Sequence, residues 1–334
     1  MAGIVEIAQK AGVSPATVSR ALRGLHHVNE KTRKKIVDAA QALDYPIRPD
    51  LLPRSESSRT NTIGVIAPFL SRWYFSQSVA GVEQALREAG MDLLLYNFAQ
   101  IDARQRVFQQ KKLIGKVDGL IVMSLRPTDK EFNQILGLGI PVALLGGIDD
   151  RCSCVSIDDI KAAEAATQYL IDMGHTKIGI VVGQRELAFN FEVAIQRKKG
   201  FVNVLKRNGI DFNPSYEITA DFDNHTAELA MDEFLGRKDL PTAIFCESDE
   251  MAFGVIKSIR KKGLRVPEDI SVIGFDDHEF AQILGLTTVA QPPRFLGQLA
   301  ASQILAAIEK PYSELGKISV PTTLVIRESV AKLN

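Results

Sequence analysis

Residues 4–23 read IVEIAQKAGVSPATVSRALR: a helix, a sharp turn and a second helix. Ile4, Ile7, Ala8 and Ala11 recur at i, i+3, i+4 and i+7, which gives the first helix one apolar face. Gly12 ends that helix, because only glycine enters the left-handed region without a Cβ penalty. Ser14 then offers a side-chain oxygen as N-cap, and Pro15 stands at the first helical position. Ala8, Gly12 and Val18 fall where two crossing helices need a small residue, a turn glycine and a β-branched core residue. This is the order of a helix-turn-helix, whose second helix lies in the DNA major groove. An ordinary αα-hairpin shares the pattern, so the stretch alone leaves both readings open.

The flanking residues extend the unit. A polar loop with His26 and His27 leads to a third helix expected over about 29–44, capped by Asn29. Ile36, Ala39, Ala40 and Leu43 face the first two helices, and Lys31, Arg33, Lys34 and Lys35 are expected on the outer faces. Residues 1–60 hold ten Lys/Arg against six acids, a charge of +4, so the remainder of this neutral chain carries −4. A basic head on an acidic body fits a polyanion partner for the head alone.

At 334 residues, 46% hydrophobic and 24% charged, the chain is expected to form two or three globular domains. Cys152, Cys154 and Cys246 are odd in number and lack a framework spacing. Cys152-x-Cys154 has the form of a metal or redox pair, but free thiols of a reducing cytoplasm are the expected state. No signal peptide precedes the first helix and no apolar run approaches about 18 residues, so neither secretion nor membrane spanning is expected.

Residues 46–60, PIRPDLLPRSESSRT, are a proline-rich polar linker. Beyond them, short apolar strands alternate with amphipathic helices. Strands are expected at 62–67, 92–96, 119–123 and 141–145, with helices near 76–89, 103–113 and 129–138. A second series places strands at 177–182, 216–219, 242–246 and 271–275, with helices near 190–207, 224–235 and 249–262. Continuously apolar strands joined by helices imply parallel sheets covered on both faces. The fold class is therefore α/β: an all-α headpiece plus two doubly wound lobes. Ligands in such lobes sit at the carboxyl ends of the strands, here expected in a cleft between them. The expected domains are 1–45, a linker 46–60, and a core 61–334. The core's N-lobe is expected at about 61–160 and 292–321, its C-lobe at about 161–291 and 322–334.

The motifs IVEIAQKAGVSPATVSRALRG, VNEKTRKKI, TIGVI, VDGLIV, GHTKIGIV, QRKKGF, DEMAFGVI, VPEDISVIGFDD and TTVAQPPRFLGQLA run in this order along essentially the whole chain. Together they resemble the LacI/GalR family of bacterial transcription regulators. The resemblance implies a DNA-binding headpiece, a hinge, and a periplasmic-binding-protein-like core that binds a small effector and forms a homodimer. It implies that Pro15, Ala16 and Arg20 read base edges. Only Arg20 has hydrogen-bonding chemistry for this, a guanidinium matched to a guanine O6/N7 pair. Ser14, Thr17 and Ser19 suit phosphate contacts that fix register. Arg23, and Arg54 in the linker, are further expected DNA contacts.

The hinge departs from the family pattern. Relatives usually carry a tyrosine and then Pro-Asn-x-x-Ala-Arg-x-Leu, a minor-groove helix whose leucine wedges between base pairs. Here Pro53 replaces the alanine, Glu56 stands where the leucine belongs, and one residue is inserted after Tyr45. A proline inside a helix costs about 3 kcal/mol or more. Leu51 or Leu52 in a shifted register is the expected wedge; a weaker kink is the alternative.

For the effector, the resemblance assigns Arg197 and Asp276 as polar contacts to a polyol and Phe222 as a stacking aromatic. Phe69, Trp73 and Tyr74 are expected as a second aromatic wall, with core packing as the alternative for Phe69 and Tyr74. Ser248, beside Asp249, takes the place of a common asparagine, and Gln291 lies near the cleft mouth. The expected function is a cytoplasmic repressor of carbohydrate-metabolism genes, released from operator DNA by a small sugar. A purine corepressor or a phosphoprotein partner is the alternative effector, and a periplasmic-type sugar-binding protein a remote one. An enzyme is not expected: the five histidines lack metal-ligand spacing and no nucleophile elbow or phosphate loop occurs. No cofactor or metal is expected.

Overall fold

A computed structural model describes residues 3–22, 28–43, 45, 47, 59–97, 113, 115–183, 192–311 and 314–333. In chain order the elements are α1 (Ile4–Ala11), α2 (Pro15–Leu22), α3 (Glu30–Gln41), β1 (Thr62–Ala67), α4 (Trp73–Glu88), β2 (Asp92–Asn97), β3 (Gly119–Met123), α5 (Asp129–Leu136), β4 (Val142–Leu145) and β5 (Ser153–Ser156). Then come α6 (Asp159–Asp172), β6 (Ile178–Gly183), α7 (Val193–Arg207), β7 (Glu217–Ala220), α8 (Asn224–Phe234), β8 (Ala243–Cys246), α9 (Asp249–Lys261), β9 (Ser271–Asp276), α10 (Glu279–Ile283), β10 (Thr287–Ala290), α11 (Pro293–Glu309), β11 (Lys317–Ser319) and β12 (Thr323–Val325). The helix expected at 103–113 falls almost wholly outside the described residues.

The first three helices form around the expected apolar face. Gly12 adopts φ 68 and caps α1, and Ser14 Oγ accepts the Thr17 N–H at 3.1 Å to open α2. Asn29 Oδ1 accepts the Thr32 N–H at 2.9 Å at the head of α3. Ile7, Ala8, Val18, Ala21, Val28, Ile36, Ala39 and Ala40 share one small core, with Leu43, Tyr45 and Ile47 packed on it. Two details differ from the sequence expectation. The third helix stops at Gln41. Arg33 is not on an outer face: it is 1% exposed and donates from Nη1 to the Ala21 carbonyl at 3.1 Å. The last-turn carbonyls of α2 lack intrahelical partners, and a buried guanidinium supplies one.

The chain divides into two compact units, Met1–Ser156 with Pro293–Ser319, and Ile157–Pro292 with Val320–Asn334. The first contains a parallel sheet in the order β11-β5-β4-β3-β1-β2. In it α4 and α11 cross closely: a Cβ at Gly81 would collide with the Arg294 carbonyl, and one at Gly297 with the Ser78 carbonyl. Asp118 pins the entry to β1, its carboxylate accepting the N–H groups of Thr60 (2.8 Å) and Asn61 (2.7 Å).

The second unit contains a sheet in the order β12-β10-β9-β8-β6-β7, parallel except for the β10–β12 edge pair. Strands β6, β8 and β9 are buried along their whole length, as a sheet covered on both faces requires. In both sheets the chain leaves a central strand to one side and then continues on the other. The order reverses between β1 and β3, and again between β6 and β8. Such a switch point opens a crevice at the carboxyl ends of its strands.

Candidate functional site

The second helix of the headpiece presents a surface that fits DNA. Val18 and Ala21 are buried while Ser14, Pro15, Ala16 and Arg20 are exposed, and Thr17 and Ser19 are half-buried between them. Ser14 is committed as the cap, and its hydroxyl also meets the Thr17 hydroxyl at 2.8 Å. The helix turns its N-terminal face outward because Val18, Ala21 and Leu22 hold its other face on the core with α1 and α3. Arg23, Leu51, Leu52 and Arg54, together with Pro53 and Glu56, lie outside the described residues.

A buried polar constellation occupies the carboxyl ends of the second unit's strands. Gly183, at the end of β6, donates its N–H to Glu247 Oε2 at 2.9 Å, so the two strands flanking the switch point are joined at their tips. Arg197, in the first turns of α7, is 4% exposed. Its Nε donates to Asp159 Oδ1 at 2.8 Å, its Nη1 donates to the Glu247 carbonyl, and its guanidinium lies 3.5 Å from the centre of the Phe275 ring. Asp276 ends β9 and accepts from Gln291 Nε2 at 2.6 Å. Phe222 is half-buried and seated against Gly183, where any Cβ would strike its ring. Three of the five described non-glycine residues with positive φ, Phe222 (54°), Asp276 (125°) and Asp277 (58°), fall in this region. Strained backbone of this kind persists where the surroundings over-determine it and concentrates at ligand sites.

The electrostatics follow from burial. Removal from water pushes the Asp276 carboxyl up to about 7, and Arg197 and the Gln291 amide only partly oppose this. Asp159 is raised by the same cause, against the pull of Arg197. Burial works against the charge on Arg197, yet Asp159, Asp276 and Glu247 hold its pKa above the ordinary value. Among the described residues the site thus holds one cation among several acids, with that cation already paired.

Other expected contacts have protein partners of their own. Ser248 Oγ accepts the Met251 N–H at 3.2 Å, as the N-cap of α9. Asp249 is buried, and its two oxygens accept from Thr288 Oγ1 at 2.7 Å and from the His278 N–H at 2.8 Å. Burial, then the nearby charge of Asp276, pushes the Asp249 carboxyl well up. These are the bonds of a structural brace between α9, β10 and the head of α10. Phe69, Trp73 and Tyr74 belong to the first unit. Phe69 and Tyr74 pack on Phe75, with ring centroids at 6.1 Å and 5.3 Å from it, and the Arg72 guanidinium covers Phe69 at 4.4 Å. Asp159 and Glu247 were not expected from sequence. Asp159 reads there as an acid opening a helix and Glu247 as a polar residue ending a strand; only tertiary convergence on Arg197 reveals either.

Residues 3–47 match a family described as bacterial regulatory proteins, lacI family, and residues 167–330 match the periplasmic binding protein-like domain. The HTH-type transcriptional repressor PurR of Vibrio vulnificus (strain CMCP6) is 33% identical over 341 residues, covering 100% of both chains. A solved complex of the transcriptional regulator CelR with cellobiose has a TM-score of 0.73 at 28% identity, covering 98% of this chain and 100% of that one. The lac repressor dimer bound to operator and the anti-inducer ONPF has a TM-score of 0.71 at 25% identity, covering 99% of each chain. A headpiece with this outward face, two sheets of this order and a full-length relative at this identity lead to one assignment: the chain belongs to the lacI family of bacterial regulatory proteins, DNA-binding regulators of transcription.

Proposed function

We propose that the chain is a homodimeric, cytoplasmic repressor of carbohydrate-metabolism genes, released from a two-fold operator by a neutral sugar. Arg20 reads a base edge, Pro15 and Ala16 make apolar groove contacts, and Ser14, Thr17 and Ser19 fix register on phosphates. The sugar is held by Arg197, Asp276 and Gln291, with Phe222 stacked on its apolar face. Phe69, Trp73 and Tyr74 are a further candidate aromatic contact, to be tested by their own variants.

The observation that carries the sugar reading is the donor–acceptor balance of the buried site. Among the described residues its one guanidinium is already paired with Asp159, and the remaining polar groups include the carboxylate of Asp276 and the amide of Gln291. That balance favours a ligand rich in hydroxyl donors and disfavours a phosphate or another anion. The CelR relative, solved with cellobiose, supports the same class.

The test is thermal unfolding of the purified protein against neutral sugars, sugar phosphates and purines, followed by operator binding with the best ligand. A ligand that binds only the folded state raises the midpoint, by about 2.7 kcal/mol of added stability at one hundred times its Kd. Stabilisation by a neutral sugar together with weakened operator binding is the expected result. Stabilisation by purines alone, or operator binding strengthened by the ligand, overturns the reading.

A further inference from the structure

A second cluster, in the first unit and unconnected with sugar binding, involves two of the three cysteines. Cys154 lies in β5 and Cys152 in the bend just before it, with the Cys154 Sγ 3.6 Å from the Cys152 carbonyl oxygen. Residues two apart on an extended chain have Cα atoms about 6.6 Å apart, within the limit of about 7 Å for a disulfide. Cys152 precedes the ladder, so it can move without breaking strand pairing.

Two donors reach the Cys154 sulfur, which as a thiol also donates to the carbonyls of Asp149 (3.3 Å) and Cys152 (3.6 Å). Its Sγ accepts the Asp149 N–H at 3.3 Å, and Lys317 Nζ approaches to 3.4 Å from β11, where Lys317 is the direct register partner of Cys154. Lys317 also donates to the carbonyls of Asp149 and Cys152, so its ammonium is fixed above the two sulfurs. Asp150 lies 3.9 Å from that ammonium, and Arg151 is engaged by Asp149 and Asp129. The hydrogen bond from Cys152, which outweighs burial, together with the Asp149 N–H and Lys317, brings the Cys154 thiol down to about 6. Cys152 is pushed well up, first by that same hydrogen bond and then by burial, so it keeps the proton it shares. Both cysteines are 2% exposed, and the loop 146–151, which touches the Cys154 sulfur through Asp149, is itself exposed at Ile148 (68%) and at the Asp150 side chain (88%). Local opening of that loop would admit a small reagent.

We propose that Cys152 and Cys154 are a reactive thiol pair, with Cys154 the nucleophile and Cys152 the resolving thiol, that takes hydrogen peroxide and closes to an intramolecular disulfide. The Cys154 thiolate attacks one peroxide oxygen; the O–O bond breaks, hydroxide leaves and takes a proton from solvent, and Cys154 becomes a sulfenic acid. The Cys152 sulfur then attacks the Cys154 sulfur, the S–O bond breaks, and water leaves with the Cys152 proton. Two thiols and one peroxide give one disulfide and two waters, the sulfurs being oxidised and the peroxide reduced. Cys246 is the internal control: it is fully buried, and burial and then the charges of Asp249 and Glu247 push its thiol well up.

The experiment treats the native full-length protein with hydrogen peroxide, blocks remaining thiols, and maps tryptic peptides by mass spectrometry. Cys152 and Cys154 share the peptide 152–161, separate from that of Cys246. The expected result is loss of two hydrogens from 152–161, at least about tenfold faster than any change at Cys246. Cys152→Ser should stop at a sulfenic acid on Cys154, trapped by dimedone. The reaction rate should rise with pH around 6, and Lys317→Met should move that rise upward. Oxidation of 152–161 no faster than that of Cys246, or only intermolecular disulfides, overturns the proposal. The wild-type mapping stands whether or not the variants fold.

Discussion

Arg197 bonds Asp159 and the Glu247 carbonyl in a site from which water is excluded, so it serves the fold as well as any ligand. Arg197→Ala leaves the Asp159 charge buried and uncompensated, which costs about 3–5 kcal/mol. Thermal melts should show that loss before any effector is added, and an Arg197→Met/Asp159→Leu double variant should recover most of it. An Arg197→Ala protein that melts like wild type would remove the ion pair from the structural account. Asp276 makes a separate prediction. Its carboxyl is raised to about 7 in the folded protein, so folded chains hold a proton that unfolded chains release at lower pH. Stability from this group is therefore lost as pH rises from the ordinary carboxylate range to about 7, and the cost is fully present above that. Sugar hydroxyls donate to the ionised form, so binding should tighten as pH rises from 6 and level off above about 7. Asp276→Asn should flatten the profile, and isothermal titration across that range checks both. Arg197 and Asp276 were legible in the sequence because each sits in a motif with a family counterpart. Asp159 and Glu247 were not, since no local pattern marks a residue whose partner lies 38 or 50 positions away.

Helices and strands were legible in proportion to the length of their apolar pattern. The strands from Thr62, Gly119 and Ser271 were read nearly to the residue, since each is a nearly continuous run of buried, mainly apolar residues. The strands SCVS, TTVA, KIS and TLV were missed: three or four residues with hydroxyls, a thiol or a lysine make no apolar run, and neighbouring strands hold them in place. In the headpiece, Arg33 shows the same limit from the other side, because charge alone placed it on the surface. Arg33→Met should destabilise the headpiece by about 1–3 kcal/mol through the Ala21 carbonyl it leaves buried. Hydrogen exchange in residues 15–22 should rise while the second unit is unchanged. Arg20→Ala tests the exposed face of the same helix, where folding is not at stake. It should weaken specific operator binding by about 1–3 kcal/mol, leave non-specific binding nearly as before, and leave the melting curve unmoved. Equal loss on specific and random DNA would make Arg20 a phosphate contact.

The proposed regulation requires two binding sites to share one free energy, since the proposed DNA contact lies in the headpiece near residue 20 and the proposed sugar meets the strand ends near 197 and 276. The sugar weakens operator binding only if it binds more tightly to the state that fits DNA poorly, and by no more than that difference. The same linkage runs backward. Whatever factor saturating sugar imposes on operator Kd, saturating operator must impose on sugar Kd, and for typical couplings of about 1–3 kcal/mol both factors lie between about five and 150. Asp276→Asn should lower sugar affinity while leaving the operator affinity of the sugar-free protein intact, because the residue lies inside the second unit. Arg20→Ala should do the converse, shifting operator affinity without changing the coupling factor. Measuring both dissociation constants in both orders, by anisotropy with labelled operator and by calorimetry with the sugar, decides the matter. Equal factors support a single two-state equilibrium that both ligands bias. A sugar factor that differs from the operator factor would mean that a further ligand or a change of assembly enters the cycle, and a chain with one effector and one operator would no longer describe the regulator.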